Sequence, residues 1–410
     1  SALLKDAFRS ERLAHELGMK IAEKSDGNPF FVFEIIRSLR EGRYIARQED
    51  GTWATTRAIH DLQVPSSVLD LVNARVAELT EGERELLDVA ACCGFEFDGT
   101  LVAAALGERR IPIFRRLGRI EKKHRLVQAA GRRHVFDHHQ VQEALYDGLS
   151  EVLREEYHVA IADALVARAG EDTAPDAIGG ALGVAICEHY LEGGQGERAA
   201  AYLDAALRHL EMGFDNERAI RLADRALEVP DLLEGADRCR VLLRKNERLE
   251  LLGRRRAQEA VLAEARASAE QAGATSCLAE VERKTGGLLW FQGRNEEARE
   301  HAARDLALSR ETDDRRGEAL AAMNLGGIAL NEGHLPEARE HLARSVALAQ
   351  EAGDRRIEAR ATGSLGHVLY AQGRLAEAQA HHERHLALAR ETGDRRGEGW
   401  AAGNLGLLRV

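Results

Sequence analysis

The sequence predicts a mostly α-helical protein that ends in a solenoid of stacked helix pairs, and three observations carry that prediction. The phrase Asp313-Asp314-Arg315-Arg316 returns as Gly353-Asp354-Arg355-Arg356 and as Gly393-Asp394-Arg395-Arg396, at equal spacing. A fixed period of roughly 40 residues marks stacked supersecondary units. Only 6 prolines occur among 410 residues, beside heavy use of Ala, Leu, Glu and Arg, which lose little side-chain freedom in a helix. Residues 1–170 do not share the repeat. Their helical phrases are broken by a short hairpin pattern, so a separate helical bundle precedes the solenoid.

Each repeat reads as two helices. Asp314, Asp354 and Asp394 are N-caps, because a short carboxylate accepts hydrogen bonds from the free N–H groups of a first turn. Gly333 and Gly373 fit the turn between paired helices, where a positive φ is needed. Small residues (Gly326, Ala338, Gly366, Ala378) let helices approach closely. Leu342, Val346 and Leu348 supply the apolar stripe of the second helix. Asn324-Leu325-Gly326 returns as Ser364-Leu365-Gly366 and Asn404-Leu405-Gly406, and Gly293, Gly333 and Gly373 hold the same phase. Fainter copies, with Gly253 in phase and Ala219-Ile220 before it, extend the helical array back to about residue 178.

The N-L-G…G-x-x-x-x-A phrase over about 273–410 resembles the long class of tetratricopeptide repeats, like those of kinesin light chain and the Pins-type adaptors. That resemblance implies a concave groove lined by the first helix of each repeat, with a protein or peptide as its ligand. It implies that Asn324 and Asn404 face the groove and hold ligand backbone, with Ser364 departing from the pattern. Trp290, Arg360, His367 and Trp400 are expected nearby. The last repeat has only its first helix. The chain also opens inside a helical pattern (Leu3, Leu4, Phe8), so both ends are expected to have been cut from a longer protein.

In residues 1–170, Gly27-Asn28-Pro29 breaks one helix and Phe30-Phe31-Val32 begins a buried one. Trp53 follows a hairpin-like Asp50-Gly51 turn. Val64-Pro65-Ser66-Ser67-Val68 starts a helix that continues through Leu79, and Thr80-Glu81-Gly82-Glu83 caps the next. A charged helix lies around Ile113–Lys123. Leu126-Val127-Gln128 and His134-Val135-Phe136 read as short strands around Gly131. This order suggests a winged-helix unit at about 64–140. The expected domains are a helical segment at 1–63, a winged-helix and adjoining helical domain at 64–170, and the repeat solenoid at 171–410.

Four phrases in this region resemble the part of STAND signalling ATPases that follows the AAA-type ATPase domain. They are G-N-P-F-F-V-F-E-I-I-R-S-L (27–39), V-P-S-S-V-L-D-L-V-N-A-R (64–75), L-L-D-V-A-A (86–91) and F-D-H-H-Q-V-Q-E-A-L-Y (136–146). The family includes maltose-regulator-like transcription activators and regulators fused to a kinase or adenylate cyclase. The resemblance implies that Pro29 touches the adenine of ATP or ADP and that His138 reads its terminal phosphates, with magnesium bound, in the intact protein. Asp137 and Gln140 depart from the family's small and apolar residues at those positions. The same resemblance implies a missing N-terminal ATPase domain. No G-x-x-x-x-G-K-[ST] loop occurs here to cradle phosphates, so no cofactor and no catalysis are expected of this chain, which should neither bind ATP tightly nor hydrolyse it.

The remaining chemistry points the same way. The net charge is −11, whereas a generic nucleic-acid surface is basic. A DNA partner is therefore not expected, although Arg115, Arg116, Arg119, Lys122 and Lys123 form a basic helix face. Cys92, Cys93, Cys187, Cys239 and Cys277 make no C-x-x-C pair, which fits a reducing, cytoplasmic compartment. No apolar run approaches the roughly 20 residues that span a bilayer. His381 and His385 lie one helical turn apart. His301 and His341 occupy the same repeat position as His381, so a structural role is preferred over metal. A regulatory arm that senses a partner through its repeats and relays nucleotide state is the leading reading. A non-switching scaffold and part of a DNA-binding transcription regulator are the alternatives.

Overall fold

A computed structural model describes residues 68–170 and 173–408, together with positions 13, 14, 17, 18, 21, 32, 36, 39, 40, 45–48 and 53–55. Pro29 and the Val64-Pro65-Ser66-Ser67 turn lie outside the described residues. The chain divides into two compact units, Ser1–Tyr202 and Leu203–Val410.

In the first unit, Leu13, Leu17, Ile21, Val32, Ile36, Leu39 and Ile45 share one apolar cluster, with Trp53 packed against it. The 13/17/21 and 32/36/39 spacings are those of single helical faces. Strands β1 (Ile45–Arg47) and β2 (Trp53–Thr55) pair antiparallel, with Ile45 opposite Thr55. This is the hairpin expected before Trp53.

Helices α1 (Val68–Ala77) and α2 (Glu81–Cys93) follow. Thr80 starts α2 by donating its backbone N–H and its hydroxyl to Glu83, at 3.1 and 2.9 Å. That bond lets the Glu83 carboxylate be buried at a helix start that favours negative charge. Next come β3 (Glu96–Phe97), α3 (Gly99–Ala105), α4 (Arg110–Lys123), β4 (Val127–Ala130) and β5 (Arg133–Phe136). The strands form an antiparallel sheet in the order β3-β5-β4. The sequence predicts β4 and β5 around Gly131, which has φ +64°. It does not predict β3, whose two residues are too few to display a period-2 pattern. Burial holds β3 in place, because Phe97 packs against Phe136 with ring centroids 5.3 Å apart. Helices α5 (His139–Asp147), α6 (Glu151–Ala169) and α7 (Gly180–Glu192) continue the chain, and α8 (Gly196–Met212) carries the division between units.

The second unit is a regular solenoid. After α9 (Asn216–Glu228) come α10 (Gly235–Leu251), α11 (Arg255–Gln271), α12 (Thr275–Phe291), α13 (Asn295–Glu311), α14 (Arg315–Asn331), α15 (Leu335–Glu351) and α16 (Arg355–Ala371). The helices α10 to α16 are all of equal length and start at regular intervals, at positions 235, 255, 275, 295, 315, 335 and 355. Then come α17 (Leu375–Thr392) and α18 (Arg395–Leu407). Two helices per repeat is the period the sequence displays. The turns use left-handed backbone, with Gly333 at φ +79° and Gly373 at φ +74°. Asp313 takes the same conformation without being glycine, at φ +54°. The three aspartate caps form: Asp314 accepts the Gly317 N–H at 2.9 Å, Asp354 accepts the Ile357 N–H at 3.0 Å, and Asp394 accepts the Gly397 N–H at 3.0 Å.

Small residues set the distance within the pairs α14/α15 and α16/α17. A Cβ at Gly326 would lie 2.6 Å from Leu342 Cγ, and one at Gly366 would lie 2.8 Å from His382 Cε1. Side-chain volume is traded across this crossing, so buried His382 and His385 sit opposite Gly366 and Gly363. His385 fills space against Gly363 and His381 is only partly buried. The arginine pairs after each cap form an ionic edge. Arg315 bonds Glu318 and Arg355 bonds Glu358 within their own turns, while Arg316 reaches Asp354 of the next repeat at 2.9 Å.

Candidate ligand groove

The first helices of successive pairs are α10, α12, α14, α16 and α18, and the first four of them wall a cavity of about 670 Å³. Nearly all its lining comes from them. Glu247 and Glu250 stand on α10. Glu280, Arg283, Lys284, Trp290 and Phe291 stand on α12. Arg316, Leu320, Met323, Asn324 and Asn331 stand on α14, and Arg360 on α16. Only Arg255 and Gln258 come from a second helix, α11. The helical period explains this: residues 280, 284, 287 and 291 lie on one face of α12, and the same positions one repeat further on face the same way.

Trp290 is held by a close contact. A Cβ at Gly327 would lie 3.0 Å from its indole Cη2, so glycine on α14 gives the ring room to lie against that helix. The exposed Phe291 ring carries the Arg255 guanidinium 4.3 Å from its centroid. Most charges in the cavity are engaged. Lys284 donates to Glu247 at 2.8 Å, Arg283 reaches Asp305 at 3.4 Å, and Arg316 bonds Asp354. Behind the cavity, Asp305 is fully buried and its Oδ2 has no hydrogen-bond partner among the described residues. Burial pushes its carboxyl up to about 7, against the opposing pull of Arg283 and Ser309. Glu282 is also buried. Burial raises it too, but hydrogen bonds from His301 and Arg304 and the charge of Arg266 prevail and hold it at about 2.

A second cavity, of about 840 Å³, lies between α16 and α18 and is lined by Arg360, His385, Asp394, Arg396 and Trp400, with Gly397 and Gly399. Arg360 lines both cavities. Trp400 is 62% exposed, and His367 stands edge-on to it with ring centroids 5.7 Å apart.

Of the residues expected in the groove, Trp290, Asn324 and Arg360 come together in the first cavity, and Arg360 and Trp400 in the second. His367 reaches the second through its contact with Trp400. Ser364 and Asn404 are half-buried and line neither. The sequence reading missed Glu250, Glu280, Phe291, Leu320, Met323 and Asn331. The signal for two of them was present: Glu280, Leu320, Arg360 and Trp400 occupy one position in successive repeats.

In the first unit, His138 is the N-cap of α5, its Nδ1 accepting the Gln140 N–H at 3.3 Å. Of the basic residues on α4, Arg116 is committed internally, to Glu108 and to the Gly82 carbonyl. Arg115, Arg119, Lys122 and Lys123 surround a shallow surface with Phe114. Among the described residues no helix is long and apolar enough to cross a membrane.

The family model for the tetratricopeptide repeat matches residues 357–410. No curated protein matches the chain. Among solved structures, the chain is similar to the Signal Transduction ATPase with Numerous Domains (STAND) protein with a tetratricopeptide repeat sensor from Pyrococcus horikoshii. The identity is 13%, the match covers 99% of this chain and 62% of that one, and the TM-score is 0.43. It is also similar to BtubC from P. vanneervenii, at 16% identity over 54% of this chain and 94% of that one, TM-score 0.44. Aspartyl phosphate phosphatase F from Bacillus subtilis matches at 10% identity over 80% of each chain, TM-score 0.48. The chain spans 62% of the length of the STAND protein. The fold is a mostly helical solenoid, and its C-terminal helices are of the tetratricopeptide type.

Proposed function

We propose that the chain is a non-catalytic regulatory arm of a STAND-type signalling ATPase, whose repeats bind a protein or peptide and whose N-terminal region relays nucleotide state. The observation that carries the binding half is the cavity of about 670 Å³ walled by first helices, with Trp290, Asn324 and Arg360 on its surface. Solenoids use their curvature to offer such extended surfaces.

The relay half rests on the four phrases at 27–146 and on the order of α2, β3, α3, α4, β4 and β5, which fits the winged-helix unit expected from the sequence. His138 stands at the start of α5, where backbone N–H groups favour an anion. His138 is the phosphate contact that the resemblance implies for this chain. The phosphate-cradling loop and the magnesium ligands belong to the ATPase domain that the resemblance implies before Ser1. ATP or ADP bound there would supply the energy of the switch. Here, His138 would hold the closed, diphosphate-bound arrangement by a charge-assisted hydrogen bond. Ligand binding in the repeats would shift the two-state balance away from it. A cytoplasmic location fits this reading.

The test is nucleotide content and ATP hydrolysis of the full-length gene product, beside the same product lacking residues 203–410. The expected result is hydrolysis by the full chain, with altered nucleotide exchange once the repeats are removed. Equal exchange with and without the repeats would sink the switch and leave a plain scaffold.

A further inference from the structure

Charges inside the groove divide into those already satisfied and those that are not. Lys284, Arg283 and Arg316 have carboxylate partners, and Arg255 bonds Gln258. Glu250 and Glu280 have no hydrogen-bond or ion-pair partner among the described residues, and neither has Arg360. Glu250 and Arg360 are exposed and Glu280 is half-buried, so solvation rather than pairing supports their charges in the free protein. A groove that engages its other cations, Arg255 through the uncharged Gln258 amide and the Phe291 ring, and leaves these three charges open has unspent recognition capacity.

Their order along the solenoid is not mixed. Glu250 and Glu280 stand on α10 and α12, and Arg360 stands on α16. Between them lie the apolar surfaces of Trp290, Leu320 and Met323 and the unpartnered amide of Asn324. Arg396 on α18, also without a partner among the described residues, extends the basic end beside Trp400. Glu280 and Arg360 share one repeat position two first helices apart. Packed helices lie about 8–10 Å apart, so the two charges are separated by roughly 20 Å. An extended chain advances about 3.3 Å per residue, and about six residues cover that distance.

We propose that the groove takes an extended peptide segment in which a Lys or Arg and an Asp or Glu stand about six residues apart with apolar residues between them. The cation lies over Glu250 and Glu280, the carboxylate over Arg360, and the apolar residues against Trp290, Leu320 and Met323. The asparagine amides bond the extended backbone between them. This deepens the reading of the groove as a peptide site and rests on it.

The test uses this chain and labelled synthetic peptides capped at both ends, so that only side chains carry charge. Binding is read by fluorescence anisotropy. One set places Lys and Asp six residues apart around varied apolar residues. A second set has the same composition with Lys and Asp adjacent, and a third has Lys at both places. The first set should bind at least tenfold tighter than the second, and the preference should weaken with salt. Arg360→Glu should cost the first set at least tenfold and raise affinity for the third by a similar factor. Arg360 is exposed, so the variant keeps its fold, checked by circular dichroism. Binding that ignores the spacing, or Arg360→Glu without effect, overturns the charge-ordered ligand while the peptide groove stands. If no peptide of any set binds, both this proposal and the groove reading fall.

Discussion

Glycine substitutions separate contact from backbone freedom at single positions. Gly326 lies where α14 crosses α15, and a Cβ there would meet Leu342 Cγ at 2.6 Å. Gly326→Val should therefore destabilise the second unit by about 1–3 kcal/mol, the usual cost of overpacking. Gly118 sits inside α4 with nothing within 4 Å of its ideal Cβ. Gly118→Ala should stabilise by about 0.5–1 kcal/mol through helix propensity alone. Urea denaturation of the two variants checks both signs. Buried carboxylates give a second pair of opposite effects. Asp305 titrates near 7 in the folded chain, above its ordinary 3.8. Its contribution is full below about pH 4 and is lost as pH rises through 7, at up to about 1.4 kcal/mol per pH unit. Asp305→Asn should remove that slope. Glu282 titrates near 2, below its ordinary 4.5. Its contribution is present above 4.5 and lost as pH falls toward 2, so Glu282→Gln should be most damaging at neutral pH and nearly harmless in acid. Denaturation midpoints from pH 3 to 8 distinguish the two.

Each first helix of the array begins on an aspartate from α14 onward. The cap bonds satisfy N–H groups that the helix itself leaves open. Asp354 does more than cap, because it also receives Arg316 of the preceding repeat at 2.9 Å. Asp354→Ala should cost about 1 kcal/mol for the cap, with a smaller addition for the exposed ion pair. Asp394→Ala, which loses only a cap among the described contacts, should cost less. Thermal unfolding of the two variants orders them. In the first unit, the same logic explains how Glu83 is buried: it bonds Thr80, and its carboxylate faces a helix start.

A solenoid buries each helix only against its neighbours, so stability is local and varies along the chain. Helix α16 buries ten residues, whereas α18 buries Gly397 and Ala401 alone. Amide exchange should be slow in α16 and fastest in α18. Equal protection in both would contradict the nearest-neighbour account. The cavity of about 670 Å³ lies among α10, α11, α12, α14 and α16, inside the well-packed stretch.

What the sequence determined by itself was everything that repeats or acts locally. Helices, turns and caps depend on residues within a few positions of one another, and a fixed period tells how such units stack. Gly333, Gly373, Asp314, Asp354 and Asp394 were readable for that reason; Trp290, Asn324 and Arg360 were expected through the resemblance to tetratricopeptide repeats, and they stand on first helices. Ser364 and Asn404 share the repeat position of Asn324 yet line neither cavity, because lining depends on what neighbouring helices cover. The two-residue strand β3 was invisible because it is made a strand by its pairing with β5 and the burial of Phe97 against Phe136, both distant in sequence. The tertiary structure alone decided which charges in the groove find partners. Arg283 meets Asp305 and Lys284 meets Glu247 across separate helices, and those pairings leave Glu250, Glu280 and Arg360 open. Pairing of charges is a matter of distance in space, and a linear pattern does not encode it.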